Sequence, residues 1–289
     1  MPSTATIAVL SAGASPLLHR VLCAALASRP RPAAVRLIWS GHGPIASDLP
    51  SGVEAMTIEP ATFDHGTTRQ LALELCSTEL LVFLSDDAEP VADSWLGRLT
   101  APFADGAVAA VFGRQIPRPD ANIAERVFRA TRYPPQSRLI TLQSVAAEGE
   151  AVFPISDANS AYRVAALQSL GGFPRPCSYG EDLALALAAL RQGWRVHYVA
   201  EAEVWHSHEL TLASQFRRGL SAGSLGKKAK EQGMGSGFRR SALGGKRLVW
   251  NMIRAGWAQY GVRGAAAVVF VSIIRALAYI AGRIRSRKV

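Results

Sequence analysis

Two adjacent aspartates, Asp86 and Asp87, follow Ser85 at the end of an apolar segment, 79–84, that has the pattern of a buried strand. In open α/β sheets, ligands collect at the carboxyl ends of the strands. Burying carboxylates beside a core strand is costly unless a cation compensates their charge. A hard divalent ion, Mn²⁺ or Mg²⁺, that bridges carboxylate and diphosphate oxygens would provide this compensation. Helix capping or a solvated turn is the ordinary explanation of an arbitrary acidic pair and stays open here.

A second acidic pair, Glu181 and Asp182, stands at the start of a predicted helix over 183–192. A carboxylate in this position can face a cleft and take a proton from an attacking hydroxyl group. The Gly- and Pro-containing loop 172–180 comes directly before the pair, and substrates commonly enter beside such loops. Acidic residues in a first helical turn also interact favourably with the helix dipole, so capping is an equal alternative.

Two histidines separated by one residue, His206 and His208, follow a predicted strand at 196–199. In an extended segment their side chains point to the same side. Imidazole together with carboxylate is a suitable ligand set for manganese or a similar ion. Hydrogen bonding of Ser207 and His208 to a phosphate is the alternative.

The elements that must position these residues follow an alternating pattern over the first two thirds of the chain. Short apolar runs alternate with helical stretches, which predicts an α/β sheet fold. The predicted strands cover residues 6–10, 35–39, 79–84, 107–113 and 196–199. The clearest predicted helices cover residues 15–26, 67–76 and 183–192. The stretch from 114 to 150 has weak periodicity and is predicted to be an elaborated loop region.

Composition places the chain among ordered globular proteins. Its 289 residues are 49% hydrophobic, enough to bury a large core in one domain with an appendage or in two small domains. Cys23, Cys76 and Cys177 lack the spacing of a zinc or redox site, so we expect reduced thiols and a cytosolic location. The first residues lack the basic stretch and apolar core of a secretory signal, so we expect no export.

The positive charge is concentrated at one end of the chain. Residues 1–210 contain 16 Lys and Arg against 21 Asp and Glu, a net charge of −5, whereas residues 211–289 contain 16 against a single acid, a net charge of +15. Such a basic segment attracts anionic lipid or nucleic acid. Its apolar run at 265–274 favours lipid, and we expect no nucleic-acid partner.

Two helices are predicted within this basic segment. Residues 246–260 form a candidate amphipathic helix, and residues 264–282 are nearly all apolar. Nineteen residues could cross a thin hydrocarbon layer, but Arg275 near the middle makes a span costly. We therefore expect the second helix to lie in the membrane interface, with a true span as the alternative.

Several motifs occur in an order that resembles a known family. Asp86-Asp87 after a strand is followed by Gly171-Gly172-Phe173, by Glu181-Asp182, and by a Val-x-His element. This order is similar to that of the inverting glycosyltransferases of family 2. Four segments narrow the resemblance to the bacterial rhamnosyltransferases of that family, and they lie at residues 63–70, 83–88, 111–118 and 206–212.

The resemblance implies a fold and a chemistry. The fold would be GT-A, the Rossmann-like α/β fold of nucleotide-diphospho-sugar transferases, over residues 1–215, with a basic helical membrane-associating extension over 216–289. Asp182 matches the general base, with Glu181 beside it as a positioning residue. Asp87 matches the metal-binding acid, and Ser85 stands where the general pattern has its first acid. His206, or alternatively His208, matches the histidine that closes the metal and diphosphate site.

The remaining candidate contacts are also carried over from the resemblance. The donor-binding candidates are Ser11, Asp64, His65, Arg69, Asp86, Asp87, Arg114 and Gln115. The acceptor-binding candidates are Asp157 and Asn159, for which capping the approach to a helix is an equal alternative. A structural role is equally open for Arg114.

The implied partners and location complete the prediction. The expected donor is a nucleoside-diphosphate sugar, with deoxythymidine-diphosphate rhamnose first. The expected acceptor is a lipid-linked or cell-surface glycan in polysaccharide biosynthesis. The basic extension would hold the enzyme on anionic lipid at the cytoplasmic face of an inner membrane, as a peripheral or monotopic protein. A non-catalytic, membrane-bound sugar-binding or scaffold subunit is the alternative.

Overall fold

The computed structural model describes residues 4–13, 15–43, 45, 48–148, 155–177, 180–207, 213, 215–217, 219–220 and 235–285. By its internal contacts the chain divides into two compact units. The first unit comprises residues 1–116, 134–142 and 155–206, and the second comprises residues 117–133, 143–154 and 207–289. All the described candidate site residues belong to the first unit. His208, a predicted alternative metal ligand, lies outside the described residues.

A mixed β-sheet forms the centre of the first unit. In the described part of the chain its strands are β1 (Ala5–Ser11), β2 (Ala34–Trp39), β3 (Val53–Thr57), β4 (Leu80–Ser85), β5 (Glu89–Pro90), β6 (Val108–Ile116), β7 (Arg138–Ile140), β8 (Asn159–Arg163) and β9 (Arg195–Trp205). The order across the sheet is β3-β2-β1-β4-β8-β6-β9-β5, and β7 pairs with β9. Strands β1 to β4 run parallel, whereas β8 is antiparallel to both β4 and β6. The arrangement confirms the predicted α/β fold.

The strands read as continuous apolar runs because helices cover the parallel part of the sheet. The core includes Val9, Leu37 and Val82 on neighbouring strands, together with Trp95 from a helix, and all four are at most 1% exposed. Burial of this kind contributes about 1.5–3 kcal/mol for each large apolar side chain. The core therefore fixes the positions at which β1 and β4 end, and these ends carry the polar residues of interest.

The described part of the chain also contains helices, which are distributed over both units. They are α1 (Leu18–Ala27), α2 (His65–Glu74), α3 (Trp95–Thr100), α4 (Ile123–Arg132), α5 (Leu142–Glu148), α6 (Val164–Ser169), α7 (Glu181–Arg191) and α8 (Gly235–Arg285). Two short 3-10 turns occupy Pro60–Thr62 and Ala101–Ala104. The predicted loop region at 114–150 instead contains α4, β7 and α5. Helix α4 has an amphipathic pattern that the surrounding Pro and Arg residues obscure in the sequence.

Within the second unit, α8 is not one continuous helix. Gly261 has φ 58° and ψ −145°, which is not a helical conformation, and it separates the two segments that the sequence predicts as helices. Met252 before this break and Val268 after it both pack against Val127 of α4. Residues on both sides of Gly261 thus contact the same helix, so the chain reverses direction there.

Candidate functional site

The candidate residues of the first unit gather where β4 ends and β8 begins. The backbone N–H of Ser85 donates to the carbonyl of Ala158 at 3.3 Å, and Leu84 is in register with Asn159. Because the two strands are antiparallel, Asp86 and Asp87 leave the sheet at the edge where Asp157 enters it. Tertiary structure thus brings together acidic residues that are far apart in the chain.

Asp86 lies against the end of β1. The hydroxyl group of Ser11 donates to Asp86 Oδ2 at 2.6 Å and also contacts the carbonyl of Gly13. Burial raises the pKa of Asp86 to about 6, with a further contribution from the charge of Asp87, while the Ser11 hydrogen bond acts in the opposite direction. Ser11 therefore positions an acidic residue at the ends of two parallel strands, as expected for residues near a bound ligand.

Asp87 and His206 form a mixed oxygen and nitrogen pair. His206 Nε2 lies 3.3 Å from Asp87 Oδ1, and His206 Nδ1 lies 2.8 Å from the amide oxygen of Gln115. With that oxygen as acceptor, Nδ1 carries a proton, and Nε2 is the ring nitrogen that would bind a cation beside Asp87. Gln115 is thus the group that sets the His206 tautomer.

This pair fits a divalent cation. Adjacent ligands of an octahedral ion with bonds of about 2.1 Å are about 3 Å apart, close to the separation of the two atoms here. Asp87 keeps 28% of its side chain exposed, so it remains accessible from solvent, whereas the His206 side chain is 5% exposed. The pair therefore has the chemistry, the spacing and the accessibility that a divalent ion needs, and its role as metal ligand stays a prediction.

A second group of acids, the carboxylate cluster, consists of Asp157, Glu181 and Asp182. One ligand atom from each residue lies within 4.8 Å of the others, so this group also has the spacing of a cation site. A guanidinium is already present there: Arg69 lies 2.5 Å from Asp157 Oδ2 and 2.8 Å from Glu181 Oε1. Because Arg69 compensates two of the three acids, we regard Asp87 and His206 as the better metal pair.

Asp182 differs from its neighbours in the cluster because it does not pair directly with Arg69. Its Oδ1 accepts from the backbone N–H of Leu183 at 2.7 Å, in the first turn of α7. Loss of hydration and the charges of Asp157 and Glu181 raise the pKa of Asp182 to about 7, although Arg69 acts in the opposite direction. A carboxylate with a pKa near 7 is suited to accept a proton at neutral pH.

Asp157 is held from several sides. Its Oδ1 accepts hydrogen bonds from the Ser160 hydroxyl at 2.7 Å and from the Tyr162 phenol at 2.6 Å. Burial and the nearby acid raise the pKa of Tyr162 well above its usual value, so the phenol stays a donor. The Asp157 side chain is fully buried. It therefore contributes charge and position to the cluster.

The loop that leads into α7 is fixed by α2. Asp64 caps α2 by accepting from Thr67 N at 2.9 Å, and the same oxygen accepts from Cys177 N at 3.0 Å. The amide oxygen of Gln70 accepts from Phe173 N at 2.9 Å. These bonds connect the start of α2 to the loop before Glu181. Asp64, a predicted donor-binding residue, thus has a structural role through its Oδ1 atom.

His65 and Arg69 lie one turn apart on α2 and interact with each other. His65 Nδ1 is 3.0 Å from Arg69, and burial, with a smaller effect of the guanidinium, lowers the pKa of His65. Both were expected to contact the donor. The structure places Arg69 inside the carboxylate cluster, and its repeated pairing with acids is the observation that the sequence alone did not provide.

Two other candidates have partners within the sheet. Arg114 forms an ion pair with Glu203 of the neighbouring strand at 2.8 Å, which agrees with the structural alternative. Asn159 is 0% exposed; it accepts from Trp95 Nε1 and donates to the carbonyl of Ala202, both at 2.9 Å. The expectation that Asn159 contacts an acceptor disagrees with this burial, because a side chain enclosed in the sheet offers no surface to a substrate.

Comparison with known proteins identifies the family of this sequence. The sequence matches the family model described as glycosyl transferase family group 2 over residues 80–281. The O-antigen chain rhamnosyltransferase RfbN of Salmonella typhimurium is 33% identical over 181 residues, which are 62% of this chain and 57% of RfbN. WbaN of Salmonella anatum, with the same description, is 33% identical over 169 residues, 58% of this chain and 54% of WbaN. The chain spans about half the length of these curated relatives.

A solved structure shares the fold. The mannosyltransferase PcManGT from Pyrobaculum calidifontis, solved in complex with GDP-Man and Mn²⁺, superposes with a TM-score of 0.60 at 16% identity, covering 99% of this chain and 87% of the other. At that identity the likeness shows the fold alone. The family model, in contrast, covers more than half of the 289 residues, including both acidic pairs and His206. The chain therefore belongs to the glycosyl transferase family group 2 and has the GT-A fold.

Proposed function

We propose that the protein transfers a sugar from a nucleoside-diphosphate donor to a hydroxyl group of a lipid-linked or cell-surface glycan. The transfer inverts the anomeric carbon, and rhamnose is the first candidate for the sugar. The single observation that carries this proposal is the cluster that Asp182, a carboxyl group with a pKa of about 7, forms with Asp157, which enters the sheet at the edge where Asp86 and Asp87 leave it. The choice of rhamnose is supported by the names of two relatives, both O-antigen chain rhamnosyltransferases.

The reaction needs a proton acceptor on one side of the sugar and charge compensation on the other. Asp182 takes the proton of the acceptor hydroxyl. The oxygen of that hydroxyl bonds to the anomeric carbon as the bond from the same carbon to the diphosphate oxygen breaks. Asp87 and His206 would hold a divalent ion, which supplies neutralisation of the charge developing on the leaving diphosphate. Glu181 and Asp157 keep Arg69 beside Asp182, and Arg69 limits how far the Asp182 pKa rises.

The donor assignment is tested by thermal unfolding in the presence of nucleotide sugars. We expect deoxythymidine-diphosphate rhamnose to raise the Tm more than GDP- or UDP-sugars do, and to require Mn²⁺ or Mg²⁺, because a ligand that binds only the folded state stabilises it. The matched control is the same screen with the chelator EDTA. A larger shift with another donor would replace rhamnose, and no shift with any donor would contradict the transferase assignment of this site.

The pH dependence of kcat/KM in Arg69 variants tests the role of Asp182 as the base. The base must be ionised, so kcat/KM of the wild-type enzyme should rise with pH and level off above about 7, the pKa of Asp182. In Arg69→Met the positive charge that lowers this pKa is lost, and we expect the acid limb to move up by about 1 pH unit or more. In Arg69→Lys the charge is kept and the limb should stay within a few tenths of a unit.

The same substitution has a stability cost that must be measured beside the kinetics. Arg69→Met leaves Asp157 and Glu181 buried without their cation, which typically costs about 3–5 kcal/mol. Thermal unfolding identifies a temperature at which the variant is still folded, and the pH profile is recorded there. An unchanged acid limb in a folded Arg69→Met enzyme would assign Arg69 a purely structural role.

We also propose that the enzyme works at the cytoplasmic face of an inner membrane, with residues 1–215 as the transferase domain and residues 216–289 as the membrane-associating part. Two features support this location. Residues 211–289 carry a net charge of +15, and the segment Lys246–Ile284 is long and apolar enough to cross a membrane, with a mean hydropathy of 2.0 in its most apolar window. An anionic membrane surface attracts such a segment.

A further inference from the structure

The C-terminal helix α8 folds back on itself as a hairpin. Its two arms, 246–260 and 262–285, are separated by Gly261, whose positive φ favours glycine over other residues. Gly256 and Gly264 are in close contact across the turn, because a Cβ atom added to Gly264 would clash with the carbonyl oxygen of Gly256. The turn therefore depends on glycine at three positions, and the two arms run in opposite directions.

The second arm has its large apolar side chains on the outside. Residues three and four apart share one helix face, and the exposed face carries Val262, Val269, Phe270, Ile273, Leu277, Ile280 and Ile284, each between 39% and 68% exposed. We call these residues the apolar stripe. The opposite, buried face carries small residues, Gly264, Ala278 and Gly282, together with Val268. A helix at a water-exposed surface has the reverse distribution.

The charge near the middle of this arm faces the protein. Arg275 Nε donates to the amide oxygen of Gln215 at 2.5 Å, and the guanidinium lies 5.5 Å from the ring centre of Phe128. Neither residue belongs to the apolar stripe. In the sequence, Arg275 was the argument against a span. Because it faces the protein, it does not prevent the exposed face from contacting hydrocarbon.

The packing of α4 argues against a transmembrane span. The second arm contains 24 residues, about 36 Å of helix, which is enough to cross about 30 Å of hydrocarbon. However, both arms pack on α4 through Val127, and α4 carries the ion pair between Arg129 and Glu125, 2.7 Å apart and almost fully buried. A span would take these charges into hydrocarbon or separate the arm from α4. Both alternatives are costly.

The first arm supplies groups that suit the lipid headgroup region. Trp250 and Trp257 are 61% and 60% exposed, and Arg254 lies between them on the same exposed side. Tryptophan and arginine are characteristic of membrane interfaces. From 246 to 285 the sequence contains seven cationic side chains and no acidic one. The hairpin is therefore complementary to an anionic bilayer.

An apolar groove continues the stripe. It has a volume of about 580 Å³ and is lined by Phe270 of the stripe, by Tyr260 and Val271, and by residues at the start of α4. None of the candidate site residues lines it. Its apolar walls are suited to lipid hydrocarbon chains.

We propose that residues 246–285 form a monotopic membrane-insertion hairpin. The apolar stripe enters one leaflet of an anionic bilayer, and Trp250 and Trp257 lie at headgroup level. The chain before the hairpin and the chain after it stay on the same side of the membrane. This inference rests on the proposed membrane location and specifies its geometry. Insertion of the stripe adds apolar burial to electrostatic attraction, and both terms contribute to binding.

Vesicle flotation with the full chain tests the insertion surface. In Phe270→Ser/Ile273→Ser/Leu277→Ser we expect partitioning onto phosphatidylglycerol-containing vesicles to fall at least about 10-fold, because hydrocarbon contact is lost. The matched control Leu75→Ser/Val91→Ser/Leu139→Ser changes three apolar residues of the first unit that are 38–40% exposed, and its partitioning should equal that of the wild type. Equal partitioning of the stripe variant and the control would overturn the proposal.

Sidedness distinguishes the hairpin from a span. With one tag before residue 1 and another after residue 289, protease added to inverted inner-membrane vesicles should remove both tags, and protease added to intact spheroplasts should remove neither. Removal of one tag from each side would establish a span and refute the hairpin. Donor-induced Tm shifts separate this inference from the proposed function. A wild-type protein that binds vesicles but shows no donor-induced shift would contradict the transferase site alone, whereas a stripe variant that keeps the wild-type donor-induced shift and loses vesicle binding supports the hairpin with the donor site intact.

Discussion

Asp182→Asn is expected to lower kcat by about 10²–10⁴-fold, the usual contribution of a positioned general base. The amide cannot accept the proton of the acceptor hydroxyl, yet it is nearly isosteric and can keep the bond from Leu183 N to the Asp182 Oδ1 position. The substitution also removes an acid whose pKa is raised to about 7 by burial and by Asp157 and Glu181, so we expect no loss of stability. The measurement is kcat with a fixed donor and acceptor, together with the Tm.

The control for this substitution is Asp105→Asn. Asp105 pairs with Arg195 at 2.8 Å and lies at the surface, away from the cluster. We expect wild-type kcat in that variant. Retention of wild-type turnover in Asp182→Asn would eliminate Asp182 as the base, and a comparable loss in Glu181→Gln would then point to the neighbouring acid. A chain that binds donor but never turns over, even as wild type, would be the sugar-binding subunit that the sequence left as an alternative.

Asp87→Ala is expected to abolish the metal response and to lower kcat/KM by about 10²–10³-fold. A metal ion contributes several kcal/mol to stabilising the charge of a leaving diphosphate, and about 1.4 kcal/mol corresponds to a factor of ten. Without the carboxylate, His206 is the remaining ligand of the pair, since Asp86 is engaged by Ser11 at 2.6 Å. Titration with Mn²⁺ should show binding in the wild type and at least about 10-fold weaker binding in the variant.

The comparison variant for the metal prediction is Asp93→Ala, which removes an exposed aspartate of the same unit. Its Mn²⁺ titration and kcat/KM should match those of the wild type. His206→Ala should weaken Mn²⁺ binding in the same direction as Asp87→Ala, because the two ligand atoms are 3.3 Å apart. If Mn²⁺ binding survives in Asp87→Ala and is lost in Asp157→Asn, the cation belongs to the carboxylate cluster and our choice between the two groups is wrong.

The sequence provided the fold class and the order of the chemical groups. Apolar runs of strand length, separated by helical stretches, are local patterns, and burial on both faces of a parallel sheet explains why they can be read without coordinates. The family resemblance likewise depends on the order of short motifs. These predictions agree with the observed sheet and with the family match over residues 80–281.

The partners of individual side chains could not be read in the same way. Arg69 was expected to contact the donor, and the structure pairs it with Asp157 and Glu181. Asn159 was expected to contact an acceptor, and it hydrogen-bonds to Trp95 inside the sheet. Each of these contacts joins residues from different elements. Their existence depends on which strands become neighbours, and local periodicity contains no information about that choice.

In residues 211–289 too, the sequence and the tertiary structure determine different properties. The +15 charge of residues 211–289 and the apolar run within them are properties of the sequence, and they indicate a membrane partner from composition alone. Whether that run spans or lies on the membrane was open, because its length permits both. The reversal at Gly261 and the packing of both arms on Val127 support the surface arrangement that we propose, since a span would require moving the buried charges of α4 into hydrocarbon.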